Sequence, residues 1–228
     1  MSFAISCADL YYAWPDGSTV FGGLNLGIGP GRTGLIGVNG SGKSTLLKLI
    51  AGELRPAGGS VTVSGSIGYL PQDLPLAADR SVAEILGIAA VRAALRAIEA
   101  GDVSEANFDT VGDDWDAEER ARAALDRLGL TGVGLDRTVG SLSGGESVLV
   151  ALAAQLARKP GVLLLDEPTN NLDMASVRQL AGALRAYRGA LLVASHDLPF
   201  LGSIGITRWL RLDRRDGLVE EPGGEPPP

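Results

Sequence analysis

The stretch Gly37-Val-Asn-Gly-Ser-Gly-Lys-Ser-Thr45 decides the fold. It fits G-x-x-x-x-G-K-[ST], a loop whose backbone N–H groups wrap phosphates while the Lys reaches the β- and γ-phosphates and the hydroxyl meets Mg²⁺. Thr33 to Val38 reads as a buried strand and Ser44 to Ala51 as an apolar helix. The glycines therefore stand at a strand-to-helix turn, where free N–H groups and the helix dipole attract anions. The plain alternative is a glycine-rich turn with a surface lysine, and the flanking strand and helix weigh against it. The expectation is a nucleoside triphosphate held by Gly37, Asn39, Gly40, Ser41, Gly42, Lys43, Ser44 and Thr45.

Two later apolar runs complete the pattern. Val162-Leu-Leu-Leu165 follows Lys159-Pro-Gly161 and has the look of a central strand of a parallel sheet, closing in Asp166-Glu167. Ligands of open α/β sheets sit at strand carboxyl ends, so both carboxylates are expected to face the phosphates. Asp166 suits a Mg²⁺ shell and Glu167 a general base for water. Ala190 to Ala194 reads as a third strand and ends in Ser195-His196-Asp197, with His196 the one histidine of the chain. A lone histidine is commonly a plain surface or core residue, but here it is expected to reach the γ-phosphate or the attacking water. Leu142-Ser-Gly-Gly-Glu146 opens a helix to about Ala157. Ser143 with Glu146 is a capping box, and an uncovered helix N-terminus with glycine N–H groups is also an anion site.

Around these stretches the remaining chain reads as follows. Phe3 to Tyr12 and Val20 to Ile28 are expected strands joined through the Pro15-Asp-Gly17 turn, and Tyr12 or Trp14 is placed to stack on a base. Core or edge packing is the bland reading of those rings. Ser60 to Val63 and Ser66 to Leu70 read as short strands about a Gly65 turn, with Gln72 just past a strand end. From Ser81 to Glu99 one helix is expected, with Arg92 and Arg96 opposite its apolar side. Glu99 to Glu119 reads as an acidic solvated loop. Asp116 with Glu119 looks like a capping-box variant opening a helix to about Leu128. Segment 73–140 is thus a helical insertion between sheet-forming halves of one domain over 1–219, and 220–228 is a Pro-rich flexible tail.

Composition bounds the function. The 228 residues are 45% hydrophobic, enough for one large domain or one with a subdomain. A net charge of −7 and a pI near 4.8 argue against naked nucleic acid as a partner. Cys7 stands alone, so no intramolecular disulfide is available, and a reduced cytoplasmic compartment fits. No apolar run reaches the roughly 18–20 residues of a membrane helix, so direct membrane insertion is not expected.

Taken together, Gly37–Thr45, Gln72, Leu142–Glu146, Val162–Glu167, Asn171-Leu-Asp173 and His196 resemble, in order and spacing, an ATP-binding-cassette nucleotide-binding domain. The likeness covers roughly residues 3–219. It implies an α/β fold, with a P-loop NTPase core on a parallel sheet, an N-terminal antiparallel β subdomain and an inserted helical subdomain. It also implies roles by position. Lys43 and the loop glycines would hold ATP phosphates, with Ser44, Gln72 and Asp166 on Mg²⁺. Glu167 would be the base, His196 the switch histidine, and Trp14 or Tyr12 the adenine-stacking ring. Ser143, Gly144, Gly145 and Glu146 would form the signature that meets ATP held by a second cassette, and Asn171 and Asp173 the loop crossing to that site. A head-to-tail dimer, with an identical or a different cassette, would then complete each site.

Within that superfamily the chain is most similar to the ABC-F group, which lacks membrane domains and acts mostly on ribosomes. Glu167-Pro-Thr-Asn-Asn-Leu-Asp173, Glu146 and Leu70-Pro-Gln-Asp73 carry the resemblance, with the acidic excursion where that group has a variable arm. Two departures stand out. The chain has one cassette where the group joins two, so a fragment, a stand-alone half or one domain is expected. Leu149 stands where many cassettes have Arg. Rival expectations are an ATP-binding subunit of a membrane transporter and a non-catalytic ATP-dependent interaction module.

Overall fold

The computed structural model describes residues 4–74, 77–170, 172–213 and 217–221. The first elements are β1 (Ile5–Ala13), β2 (Thr19–Ile28), β3 (Arg32–Ile36), α1 (Lys43–Ala51), β4 (Gly58–Val63) and β5 (Ile67–Leu70). Helices α2 (Val82–Ile85), α3 (Ala89–Glu99), α4 (Glu105–Val111), α5 (Ala117–Arg127) and α6 (Gly144–Ala157) follow. The chain continues through β6 (Val162–Asp166), α7 (Met174–Ala186), β7 (Ala190–Ala194), α8 (Leu198–Ser203), β8 (Arg208–Asp213) and β9 (Gly217–Glu221). These fall into two compact units, one from residues up to Leu74 with 159–170 and 184 onward, the other from 75–158 with 171–183.

The first unit holds both sheets. β2-β1-β4 is antiparallel, and β5-β6-β7-β3-β8-β9 is parallel except for β9, which runs antiparallel at its edge. The expected mixed α/β architecture is therefore present. Every residue of β6 and β7 is buried, which is why Val-Leu-Leu-Leu and Ala-Leu-Leu-Val-Ala show no polar alternation. The core joins Leu46, Leu47, Leu49 and Ile50 of α1 to Ile5 and Leu10 of β1 and to Val162 and Leu164 of β6. That burial fixes the helix that follows the glycine loop.

The two short strands about the Gly65 turn are present but belong to different sheets, β4 pairing with β1 and β5 with β6. Two expectations change here. β8 and β9 add two strands beyond the three anticipated near the site. Glu220 and Glu221, assigned to the tail, pair with Leu210 and Trp209 in β9, and residues 222–228 lie outside the described residues. Phe3, the expected start of the first strand, also lies outside them.

The second unit is helical, and its hydrogen bonds redraw the 73–140 segment. Ser81 and Glu84 form a capping box, but α2 stops after one turn at Gly87, whose φ of +76° is left-handed, and α3 begins afresh. Arg92, expected opposite the apolar side, is buried and donates to Glu118 (2.5 Å) and to Asp136 (2.8 Å). Guanidinium burial is tolerated because carboxylates receive it. Part of the expected acidic loop forms α4, anchored by buried Val111. Asp116 does not cap α5; its carboxylate engages Arg120 instead. Leu149 of α6 is buried. No described helix is long and apolar enough to cross a membrane.

Candidate functional site

The glycine loop leaves β3 and enters α1 at Gly42, which sits left-handed at φ +107° as the helix N-cap. A β-carbon there would lie 2.9 Å from Val20 Cγ1, so the loop backbone presses against β2. A β-carbon on Gly37 would fall 2.4 Å from the Leu212 carbonyl oxygen. Both positions accept only glycine, and the loop they shape borders a cavity of about 490 Å³. That volume lies in the range of cofactor sites, about 300–1,000 Å³. The cavity is lined by Trp14, Val20, Asn39, Gly40, Gly42, Lys43, Ser44, Thr45, Gln72, Glu167, Asn170 and His196.

β6 and β7 are neighbours, so their carboxyl ends deliver Glu167 and His196 side by side. His196 Nδ1 lies 2.8 Å from Glu167 Oε2, and the His196 backbone N–H donates to the same oxygen at 3.2 Å. The other oxygen, Oε1, is 3.6 Å from Lys43 Nζ, which also donates to the Gly37 carbonyl at 2.8 Å. Lys43 and Glu167 are both buried, while the His196 ring is mostly exposed. Glu167 holds φ at +43°, a left-handed backbone for a residue with a β-carbon. A carboxylate, an ammonium and an imidazole thus meet beside the glycine loop.

Asp166 ends β6, one residue before Glu167, and is almost fully buried. Burial pushes its carboxyl above the ordinary carboxylate range, while a hydrogen bond with Ser44 draws it down; the Glu167 charge raises it further, and Lys48 and Lys43 lower it. Its Oδ1 is buried with no hydrogen-bond partner. A buried acceptor of this kind costs free energy unless something satisfies it. The Ser44 hydroxyl, Gln72 amide and Asp166 carboxylate are all hard oxygen donors, the type Mg²⁺ prefers, so the residues fit such an ion.

The two aromatic candidates separate. Trp14 is half-exposed and lines the cavity. Tyr12 is buried and meets the Trp14 ring edge-on, with centroids 5.2 Å apart, so it braces that ring and does not line the cavity. Gly37 and Ser41 shape the loop without lining the cavity. Val20 and Asn170 line it without having been anticipated. Asn170 adjoins the Asn171-Leu-Asp173 motif, and that position was its only signal.

In the helical unit, Ser143 caps α6 as expected. Its Oγ accepts the Glu146 N–H at 3.2 Å, and Glu146 Oε2 accepts the Ser143 N–H at 2.8 Å. Ser143 and Gly144 are exposed, and Gly145 is buried against Ser176, whose Oγ would lie 2.3 Å from an added β-carbon. Asp173 accepts the Ser176 N–H at 2.7 Å at the start of α7. Asn171 lies outside the described residues.

The sequence profile of the family described as ABC transporter matches residues 21–170. The chain belongs to the ABC transporter family of ATP-binding domains. The cassette is 42% identical over 217 aligned positions to the tylosin resistance ATP-binding protein TlrC of Streptomyces fradiae, covering 84% of this chain and 39% of that protein. It is 34% identical to the energy-dependent translational throttle protein EttA of Mycobacterium tuberculosis, covering 84% of this chain and 37% of that one. The cassette thus spans about two fifths of the length of these relatives. Among solved structures, CbiO1 of Clostridium perfringens, part of the ABC transporter complex CbiONQ, superposes with a TM-score of 0.69 at 25% identity over 96% of this chain and 88% of that one. The fold is that of a P-loop ATPase of the ABC type, and the cassette is such an ATPase domain.

Proposed function

We propose that the cassette binds Mg-ATP, closes head to tail on a second cassette and hydrolyses ATP as an ABC-F-like domain acting on the ribosome. The observation that carries the catalytic part is the Glu167 carboxylate, held between Lys43 and His196 within the phosphate-loop cavity. Phosphoryl transfer to water needs charge stabilisation and a positioned nucleophile. Lys43 and the loop N–H groups supply the first. Glu167, oriented by His196, is the base that receives a proton from water. Ser44, Gln72 and Asp166 would hold Mg²⁺, which would supply positive charge against the charge developing in phosphoryl transfer. Trp14 is the ring for the adenine, and Gly37 and Ser41 keep the loop in shape around the phosphates.

The signature of the opposite cassette, its own Ser143, Gly144, Gly145 and Glu146, would supply the capped, exposed helix N-terminus that closes on the γ-phosphate. Asn171 and Asp173 would meet across the same interface. The ribosome reading is supported by Glu167-Pro-Thr-Asn-Asn-Leu-Asp173 and by the likeness to a protein named as a translational throttle. A cytoplasmic location follows from that reading. The rival, an ATP-binding subunit of a membrane transporter, draws on the likeness to CbiO1.

The test is light scattering of Glu167→Gln with and without Mg-ATP, followed by sedimentation with purified ribosomes. An ATP-dependent dimer that pellets with ribosomes is expected. A dimer that ignores ribosomes and co-purifies with a membrane subunit would favour the transporter. A protein that binds ATP and stays monomeric would refute closure on an identical copy.

A further inference from the structure

The stretch from Glu99 to Glu119 takes no part in the ATP site. It holds nine carboxylates and no lysine or arginine, a third of the chain's 27 acidic residues. Asp114 and Asp116 pair with Arg120, and Glu118 with Arg92. The other six have no ion pair among the described residues, which concentrates uncompensated charge on one part of the helical unit. The same stretch is unusually apolar at its surface. Val103, Phe108 and Trp115 are three of the seven large hydrophobic side chains exposed among the described residues. The Phe108 and Trp115 rings lie 6.0 Å apart, centroid to centroid. Single exposed apolar residues are ordinary, but a cluster marks a surface that something covers.

Beside the rings a cavity of about 420 Å³ opens between α3 and the start of α5. Leu95, Ile98 and Trp115 form its apolar wall, and Glu99, Glu118 and Glu119 carry its acidic side. Arg96, also on the rim, is committed to Asp136 at 3.3 Å. This chemistry selects an occupant. Nucleic acid and anionic lipid head groups are repelled by the unpaired carboxylates. A purely apolar partner would strip water from those carboxylates without replacing it. A protein segment that alternates arginine or lysine with leucine-like residues satisfies both halves of the groove. Its aliphatic stems lie on Leu95 and Ile98, a guanidinium faces the Trp115 ring, and its charges meet Glu99 and Glu119.

We propose that the groove between α3 and α5, walled by Leu95, Ile98 and Trp115 and edged by Glu99 and Glu119, docks a basic amphipathic protein segment. The inference goes beyond the proposed ATPase cycle and stands whether the larger partner is a ribosome or a membrane subunit. The test measures fluorescence anisotropy of a short labelled Arg/Lys/Leu peptide against the whole chain at physiological ionic strength, with an oligouridine as counter-probe.

The double variant Glu99→Lys/Glu119→Lys is expected to weaken peptide binding about tenfold or more, and Trp115→Ala about fivefold. The pair Glu53→Lys/Asp79→Lys changes net charge equally at exposed sites elsewhere and is expected to stay within about twofold of the wild type. ATP turnover, unchanged in all of them, reports folding. If the charge reversal fails to fold, Glu99→Gln/Glu119→Gln replaces it, with about threefold weakening expected. Equal losses in the groove and control pairs, an indifferent Trp115→Ala, absence of peptide binding, or oligouridine bound as tightly as the peptide would each overturn the proposal.

Discussion

Replacing Glu167 with Gln removes one negative charge while keeping the side chain's size, so its effect isolates what the charge does. In the native site one oxygen receives both the His196 ring, at 2.8 Å, and the His196 backbone N–H, at 3.2 Å. The Gln carbonyl oxygen is expected to turn toward His196, since an NH₂ there would face the His196 backbone N–H. The NH₂ is left toward Lys43 Nζ, at the position where Oε1 stands at 3.6 Å. Lys43 keeps its bond to the Gly37 carbonyl and remains available to phosphate. Nucleotide binding should thus survive or tighten slightly, while the group that accepts water's proton is gone. General-base catalysis is worth about 100- to 10,000-fold, so turnover should fall by that factor. The corresponding rise in barrier is about 2.7–5.5 kcal/mol. The assay is phosphate release under saturating Mg-ATP, paired with equilibrium binding of a fluorescent ATP analogue. Turnover within tenfold of the wild type with normal binding would refute the assignment of Glu167 as the base.

Three further outcomes follow from the geometry. Trp14→Ala should weaken ATP binding by about fivefold or more, the low end of what one stacked base contributes, with a smaller effect on turnover at saturation; calorimetric titration checks this, and undiminished affinity would exclude Trp14. Arg92 holds the Asp136 carboxyl down to about 2 from its ordinary 3.8. A depressed carboxylate stabilises the fold above its unfolded pKa, and that stability is lost as pH falls from about 4 through about 2. Thermal melts should therefore show the wild type converging on Asp136→Asn across that window and exceeding it at neutral pH. Gly145→Ala places a β-carbon 2.3 Å from Ser176 Oγ and 3.0 Å from its Cβ, so it should destabilise the helical unit by about 1–3 kcal/mol. Ser176→Gly, which empties that space, should restore most of the loss in denaturant unfolding.

What could be read from the chain was what local physics sets. The turn at Gly37–Thr45 needs only its own glycines and the apolar runs on either side. β6 and β7 announce themselves because central strands covered on both faces carry no polar residues. The Ser143 box closes over three residues. The unread parts depend on partners distant in sequence. Arg92 lies on a helix whose pattern sends it to solvent, and only carboxylates 26 and 44 residues away make its burial tolerable. Tyr12 and Trp14 are two residues apart, and nothing local says that the first joins the core beneath the second. Asp116 had a capping partner by spacing, yet Arg120 on the next turn competes for the same carboxylate. α4 was hidden because four of its seven residues are acidic or polar and obscure the one buried anchor, Val111.

The backbone of Glu167 gives an independent argument for its role. A left-handed conformation at a residue with a β-carbon costs on the order of 1–3 kcal/mol, and it persists only where the surroundings over-determine it. Here they do so three times. The Glu167 N–H donates to the Ala194 carbonyl at 2.8 Å, carrying the β6–β7 pairing one residue past the strand. One carboxylate oxygen is fixed by His196 and the other faces Lys43. Glycine would occupy the same backbone without strain, so stability alone does not select a carboxylate at this position. The bond to the carboxylate also fixes the histidine: an ionised Glu167 only accepts, so Nδ1 carries the hydrogen. In that tautomer Nε2 is the acceptor of the ring. Strain in the backbone, orientation of the carboxylate and choice of tautomer are one arrangement, and it is built at the paired ends of two buried strands.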